Sequence, residues 1–335
     1  MLKKSIRRIC ILSLLFMLIF NACSVIKRFQ PTPTPTLFPT PIPTATPQVN
    51  RVVLIAPPNA DTNLVAEAQK TLTDLAASSE LVFETRQQIS SKEITADIKI
   101  IVFLNHPDNL GALSNAASKT QFAVISDLNW NPTSNVTIIR RQPEYIYFIA
   151  GLITVILDNN FRGGALIPSE DTSSQQAFTN GGHYYCGICM STIQPFAKYP
   201  LIAAQPGGSP SANWQTAFDQ MNINMIKVLY ITPEAYSTEL FTYLVSKNII
   251  LLGTQTPPEA AKSRWAATLQ MDGISPLREI WPDLIAGKGG KVVYGGVRFI
   301  DIQPALLPQG KLDFVQRIVA KLRSRMINPQ SIPLE

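Results

Sequence analysis

From residue 51 onward the apolar positions follow two alternating periods. Short, mostly apolar runs bounded by Pro, Gly, Asn or Asp read as buried strands, and longer stretches with apolar residues every three or four positions read as helices. The first pair is the run Arg51–Ile55, ending in Ala56-Pro57-Pro58-Asn59, and a helix over 61–78 with Leu64, Val65, Ala68, Leu72 and Leu75 on one face. Strands are predicted at 81–84, 98–104, 121–126 and 136–139, with a helix over 107–118. A long apolar helix over 144–157 opens the second half. It is followed by strand 164–167, helix 171–191, strand 200–204, helix 211–221, strand 226–231, helix 234–246 and strand 249–252. Near-continuous apolar strands separated by helices predict parallel sheets covered on both faces. Two such sheets are expected, divided near residue 140.

The first 48 residues have a different pattern. A basic start over residues 1–8 leads into Ile9–Phe20, twelve residues that are apolar apart from Ser13. That is short of the about 20 residues needed to span a bilayer, and right for the hydrophobic region of an export signal. Asn21-Ala22-Cys23 then resembles a bacterial lipoprotein cleavage site, with Phe20 in the place usually held by Leu. A plain signal peptide or an uncleaved short anchor is the alternative. Residues 31–47 hold seven Pro and six Thr in seventeen positions. Pro fixes φ and lacks a backbone donor, so the run predicts an extended stalk, reaching roughly 50 Å at about 3.1 Å per residue. The expected layout is a signal at 1–22, a lipidated Cys23 and stalk over 23–48, then a globular body. Acyl chains on Cys23 would hold the protein at the extracytoplasmic face of the cell membrane.

Net charge changes meaning once it is located. The chain carries 29 Lys and Arg against 23 Asp and Glu, a formal +6. Lys3, Lys4, Arg7, Arg8, Lys27 and Arg28 account for six of the basic residues, and residues 1–28 contain no acid. Removing those six from 29 leaves 23 basic residues against 23 acidic ones, so the body is neutral. A nucleic-acid-binding body would keep a basic excess to neutralise phosphates, which argues against nucleic acid as a partner.

Several motifs in the body resemble the basic membrane lipoprotein family, substrate-binding lipoproteins of ABC importers related to purine nucleoside receptors. They are Asn135–Glu144 running into Tyr147–Ile153 with Ala150-Gly151-Leu152, Gly163–Pro168, Ala177–Gly182, Gly207-Gly208-Ser209 with Trp214, the strand into Gly253, and Ile327-Asn328-Pro329. The resemblance implies an α/β, type I periplasmic-binding-protein fold, with two doubly wound parallel-sheet lobes joined by a three-crossing hinge. Trp265–Gln270 resembles the second crossing, and the helix after Ile274 with Gly287–Gly290 resembles the first-lobe helix that the crossing leads into. Lobe 1 is then expected at 49–140 plus 270–296, and lobe 2 at 141–268 plus 297–335. The implied function is capture of a small polar ligand, with nucleosides as the family's best-known class, by a monomer serving an ABC permease. A sensor of the same fold, docking a membrane receptor or kinase, is the alternative.

Open parallel sheets bind ligands beyond the carboxyl ends of their strands. Those positions are Asn59, Asp61, Asn105, His106, Asp127, Asn129 and Trp130 in the first half. In the second half they are Ser169, Glu170, Gln205, Thr254 and Gln255, with Gln270 and Asp272 at a crossing. Asp127 matches a family aspartate used for ligand contact, and Trp130 is placed to stack on a planar group, although loop capping and loop packing are their ordinary roles. Asn59, Asn105, Thr254, Gln255 and Asp272 complete the candidate set. The nucleoside-binding pattern departs here in three places. Ala56-Pro57-Pro58-Asn59 stands where an Asp is expected, Thr254-Gln255 where an acid is expected, and a residue around Asp272 where a Lys is expected.

Of four cysteines, Cys10 lies in the signal and Cys23 is the lipid acceptor, leaving Cys186 and Cys189. Cys-x-x-Cys fits a local disulfide, a redox pair, half of a zinc site or two packed thiols. With His183 it offers only three ligands, so no metal is expected. The chain has no Gly-x-Ser-x-Gly and no His-Glu-x-x-His. Gly287-Lys288-Gly289-Gly290-Lys291 lacks the spacing of a phosphate loop, and no enzymatic activity or cofactor is expected.

Overall fold

The computed structural model describes residues 49–331; the predicted signal over 1–22, Cys23 and the stalk through residue 48 lie outside the described residues. Two six-stranded sheets carry the fold. The first is built from β1 (Arg51–Ile55), β2 (Val82–Arg86), β3 (Ile98–Phe103), β4 (Gln121–Ser126), β5 (Val136–Arg140) and β13 (Lys291–Tyr294). Its spatial order is β13-β5-β4-β3-β1-β2, and all its pairs are parallel.

Side chains in this sheet alternate between faces with the period of two expected of strands. Val52, Leu54, Ile100, Val102, Ala123, Ile125 and Ile139 pack with helices α1 (Thr62–Ser78) and α7 (Ser275–Ile285). Val53, Ile55, Ile101, Phe103, Phe122, Val124 and Ile138 face the other way, against α2 (Leu110–Ala116). Both faces are covered, which is why the strands read as unbroken apolar runs. Asp61 starts α1 by accepting the Leu64 N–H at 2.8 Å, an ordinary helix cap.

The second sheet has the order β14-β12-β11-β10-β6-β9. Its strands are β6 (Gly163–Pro168), β9 (Leu201–Gln205), β10 (Val228–Ile231), β11 (Ile250–Gly253), β12 (Trp265–Asp272) and β14 (Gly296–Ile300). Only β14 runs antiparallel to its neighbour. Helix α3 (Glu144–Ile156) buries eleven residues, Tyr145, Ile146 and everything from Phe148 to Ile156, which no one-sided surface helix does. It lies between the sheet and the helices α4 (Thr172–Cys186) and α8 (Gln309–Arg323), and the Tyr145 hydroxyl donates to the Leu322 carbonyl at 2.8 Å. The other face is covered by α5 (Ser211–Asn222) and α6 (Thr238–Ser246), which present Trp214, Phe218, Leu240 and Leu244.

The chain passes between the sheets three times: from β5 into α3, from β12 into α7, and from β13 into β14. The crossings touch one another. Gly295 donates its N–H to the Arg140 carbonyl at 2.8 Å, and a side chain at Gly295 would meet the Asp272 carbonyl oxygen at 2.5 Å. A side chain at Gly273 would meet Ile125 Cγ2 at 2.8 Å and Arg141 Cδ at 3.5 Å.

Two sequence expectations need correction. The helix expected over 171–191 stops at Cys186, because Gly187 at φ 59° turns the chain out of it. The next residues form a small hairpin, β7 (Cys189–Met190) with β8 (Lys198–Tyr199). Residues 265–300 also hold three strands, β12, β13 and β14, where the pattern suggests only a crossing and one helix.

Candidate functional site

Each sheet has the order 2-1-3-4-5 at its core, β2-β1-β3-β4-β5 in one and β9-β6-β10-β11-β12 in the other. Chain direction reverses across the sheet between β1 and β3, and between β6 and β10. Such switch points leave a crevice beyond the strand ends. Because short crossings leave the carboxyl ends of β5 and β12 for the opposite half, these two crevice-bearing edges face one another.

At the first switch point there is a cavity of about 300 Å3. Its floor is apolar: Ile55 at the end of β1, Phe103 at the end of β3, and Ile89, with Pro57 and Pro107 at the sides. Its polar groups are the side chains of Gln87, Gln88, Asn105, His106 and Asn109. His106 Nε2 is buried and makes no hydrogen bond, while the ring sits edge-on to Trp130 at 5.6 Å between centroids. Of the predicted residues Asn105 and His106 line this cavity. Sequence reasoning misses Gln87 and Gln88 because the strand expected at 81–84 stops early; β2 runs to Arg86, and the strand-end rule applied there points directly at both glutamines.

At the facing edge, Ile231 pairs in register with Gly253, so Thr232 and Thr254 stand side by side where β10 and β11 end. Their Oγ1 atoms are both buried without a hydrogen-bond partner. Beneath them the Tyr230 hydroxyl is buried and unpartnered too, and burial pushes its phenol well above the ordinary tyrosine range. Tyr236 is also pushed up by burial, and its hydroxyl accepts from the Gln255 N–H at 3.2 Å, which fixes the backbone of Gln255. Glu170 accepts the Gly207 N–H at 2.8 Å; hydrogen bonds from backbone N–H groups, its own and that of Gly207, hold its carboxyl below the usual range. It therefore braces the loop after β9.

Three of the remaining candidates, Asp127, Asp272 and Trp130, are already engaged. Asp127 lies at the end of β4, but both carboxylate oxygens accept from Arg141, at 2.8 Å from Nε and 3.1 Å from Nη2. Arg141 is on the first crossing, so the pair pins the β4 edge to the hinge. Asp272 caps α7, accepting from Ile274 at 3.2 Å and Ser275 at 2.9 Å. Trp130 packs with the apolar face of the first sheet, and its carbonyl accepts from Arg140 Nη2 at 3.1 Å. Asn59 is exposed in the turn after β1, away from the cavity lining. Asp127→Asn is expected to cost about 1 kcal/mol of stability, the scale of a half-exposed bidentate pair, and to leave ligand capture largely intact. Chemical denaturation and a binding assay on the same sample read the two effects.

Two ion pairs also bridge the halves. Glu67 on α1 pairs with Arg298 on β14, whose Nη2 donates to Gln270 Oε1 at 2.8 Å. Glu279 on α7 accepts twice from Arg323 Nη2 on α8, at 2.9 and 2.8 Å. These contacts flank the crossings and bias the angle between the sheets.

Cys186 and Cys189 are bridged as a disulfide, with Cα atoms 5.1 Å apart, at the point where α4 gives way to the hairpin. Among the described residues no three His, Cys, Asp or Glu side chains converge as a metal set, and no helix is long and apolar enough to cross a membrane.

Solved structures repeat this architecture. An ABC transporter solute-binding protein from Conexibacter woesei aligns over 85% of this chain and 98% of its own, with a TM-score of 0.56 and 14% identity. The chain has the type I periplasmic-binding-protein fold. The same fold is found in a transcriptional activator of the comK gene from Bacillus halodurans, at 10% identity over 84% of this chain and 100% of that one, with a TM-score of 0.53. No family model matches the sequence, and no curated protein matches it. The cavity lies beyond the carboxyl end of the first sheet, and the two threonines lie beyond that of the second.

Proposed function

We propose that the protein is a membrane-anchored, extracytoplasmic solute-binding protein that captures a small polar ligand between its two lobes and presents it to an ABC permease. The observation that carries this reading is the pair of facing switch-point edges, each with buried polar atoms that have no protein partner. Buried polar groups are normally hydrogen-bonded, and an unpartnered one calls for an explanation, of which a missing ligand is one. The groups at these edges are amides, an imidazole and hydroxyls, suited to holding a molecule by hydrogen bonds. The lobes span 49–140 with 273–295 and 141–272 with 296–331; the expected bounds at 270 and 296 move because Gln270–Asp272 pair with Gly296–Arg298 in the second sheet. Cys23 supplies the lipid anchor, and the Pro/Thr run over 31–47 holds the body off the membrane. Selectivity arises because the closed form is stabilised only by a molecule that satisfies both edges at once.

A sensing role uses the same cleft, and the comK activator's fold keeps that reading open. A strain lacking this protein separates the two. An importer predicts that one compound stops being depleted from the growth medium, and that wild-type protein restores its uptake. A Cys23→Ala protein is expected to incorporate no labelled palmitate and to restore uptake poorly. Unchanged depletion of every medium component contradicts the import reading, and an altered transcript profile alongside it supports sensing.

A further inference from the structure

The cavity at the first switch point carries information about the ligand's charge. None of its lining residues is Asp, Glu, Lys or Arg. The nearest charged neighbours in sequence are occupied or turned outward: Arg86 pairs with Glu84 at 2.5 Å, and Asp108 is exposed. A buried phosphate, carboxylate or ammonium needs an opposite charge or several charge-assisted donors, because its desolvation is otherwise uncompensated. Amide side chains instead offer a donor and an acceptor within one group, and so match uncharged groups that do both. Gln87, Gln88 and Asn105 supply this pattern above a floor formed by Ile55 and Phe103, and His106 adds a buried Nε2 with no protein partner. The floor removes apolar surface from water, so the seated part of the ligand has an apolar face as well as a polar edge.

We infer that this cavity holds one end of the ligand through Gln87, Gln88, Asn105 and His106 and that, because the second edge presents the hydroxyls of Thr232, Thr254 and Tyr230 rather than charges, the protein selects neutral polar compounds over anionic and cationic ones. The inference rests on the ligand-capture reading above and adds the chemical class. It also assigns recognition to amides and an imidazole, since Asp127 and Asp272 are engaged at the hinge.

The test uses full-length protein in detergent and a small-molecule extract of bacterial cells, split by mixed-bed ion exchange into a neutral flow-through and a charged eluate. Native mass spectrometry reads bound adducts for wild type, Gln88→Ala and Asn105→Ala, and thermal melts confirm that the variants fold. An adduct from the neutral fraction, weakened at least tenfold in one or both variants, is the expected result. Adducts arising only from the charged eluate overturn the inference and leave the capture reading standing. A neutral adduct held equally well by both variants also overturns it, because the cavity would then not be the seat. No adduct from either fraction overturns the capture reading itself, and the inference with it.

Discussion

Gly181→Ala is expected to destabilise the protein by about 3 kcal/mol, the upper end of what overpacking costs. Helices α3 and α4 pack backbone against backbone. A Cβ at Gly181 would land on the Phe148 carbonyl, and one at Gly151 on the Phe178 carbonyl. The two glycines are reciprocal, so neither helix can retreat from an added methyl without dragging the other contact apart. The helices also anchor the chain around them: Asn180 Nδ2 donates to the Pro329 carbonyl at 2.7 Å, and α3 fills the centre of the lobe. Gly111 is the matched control. It lies in α2 with open space around its Cα, so Gly111→Ala is expected to gain about 0.5–1 kcal/mol from helix propensity alone. Urea denaturation of the three proteins checks both signs. A cost below about 1 kcal/mol for Gly181→Ala would mean that the helices do not approach this closely.

The second large effect separates binding from stability. Thr254 Oγ1 is buried without a partner at the cleft edge, and Thr137 Oγ1 is buried without a partner inside β5, in the body of the first sheet. Replacing either by Val keeps the shape and removes an unsatisfied hydroxyl, so each is expected to gain about 1–2 kcal/mol in the free protein. That corresponds to a rise of roughly 2–4 °C in Tm per kcal/mol for a chain of this size. Only Thr254→Val is expected to weaken ligand capture, by about tenfold, since its hydroxyl gains a partner when ligand is bound. Thermal melts and adduct intensities on the same preparations give the comparison. Weaker capture in Thr137→Val, or no loss in Thr254→Val, would remove Thr254 from the site.

Burial decides how much of the fold is legible in the sequence. Strands such as β4, buried at every position, show as unbroken apolar runs, and α3 shows as a helix with no polar face. The α/β class and the division into two sheets come from that pattern. The hidden features have specific physical causes. β13 is only half-buried along its length, and β14 is half-buried over three of its five residues, so neither produces an apolar run. β2 is an edge strand with an irregular pattern, which conceals its true end and with it Gln87 and Gln88. Asn105 and Thr254 do lie just beyond the carboxyl ends of β3 and β11, where the strand-end rule puts them. The rule cannot tell that Asp127 and Asp272 are engaged by Arg141 and by the first turn of α7, because those partners are distant in sequence or belong to backbone geometry. Gly181 and Gly151 are visible as residues but not as a contact, since a glycine in a helix is ambiguous until its neighbour is known.

Hydrogen–deuterium exchange on the full-length protein tests the central claim most directly. With the adduct-forming fraction present, amides at 103–109 on the first edge and 253–256 on the second are expected to slow together, at the same ligand concentration, because one molecule bridges both walls. Protection of one edge alone, or of neither while an adduct is still bound, would contradict capture between the lobes.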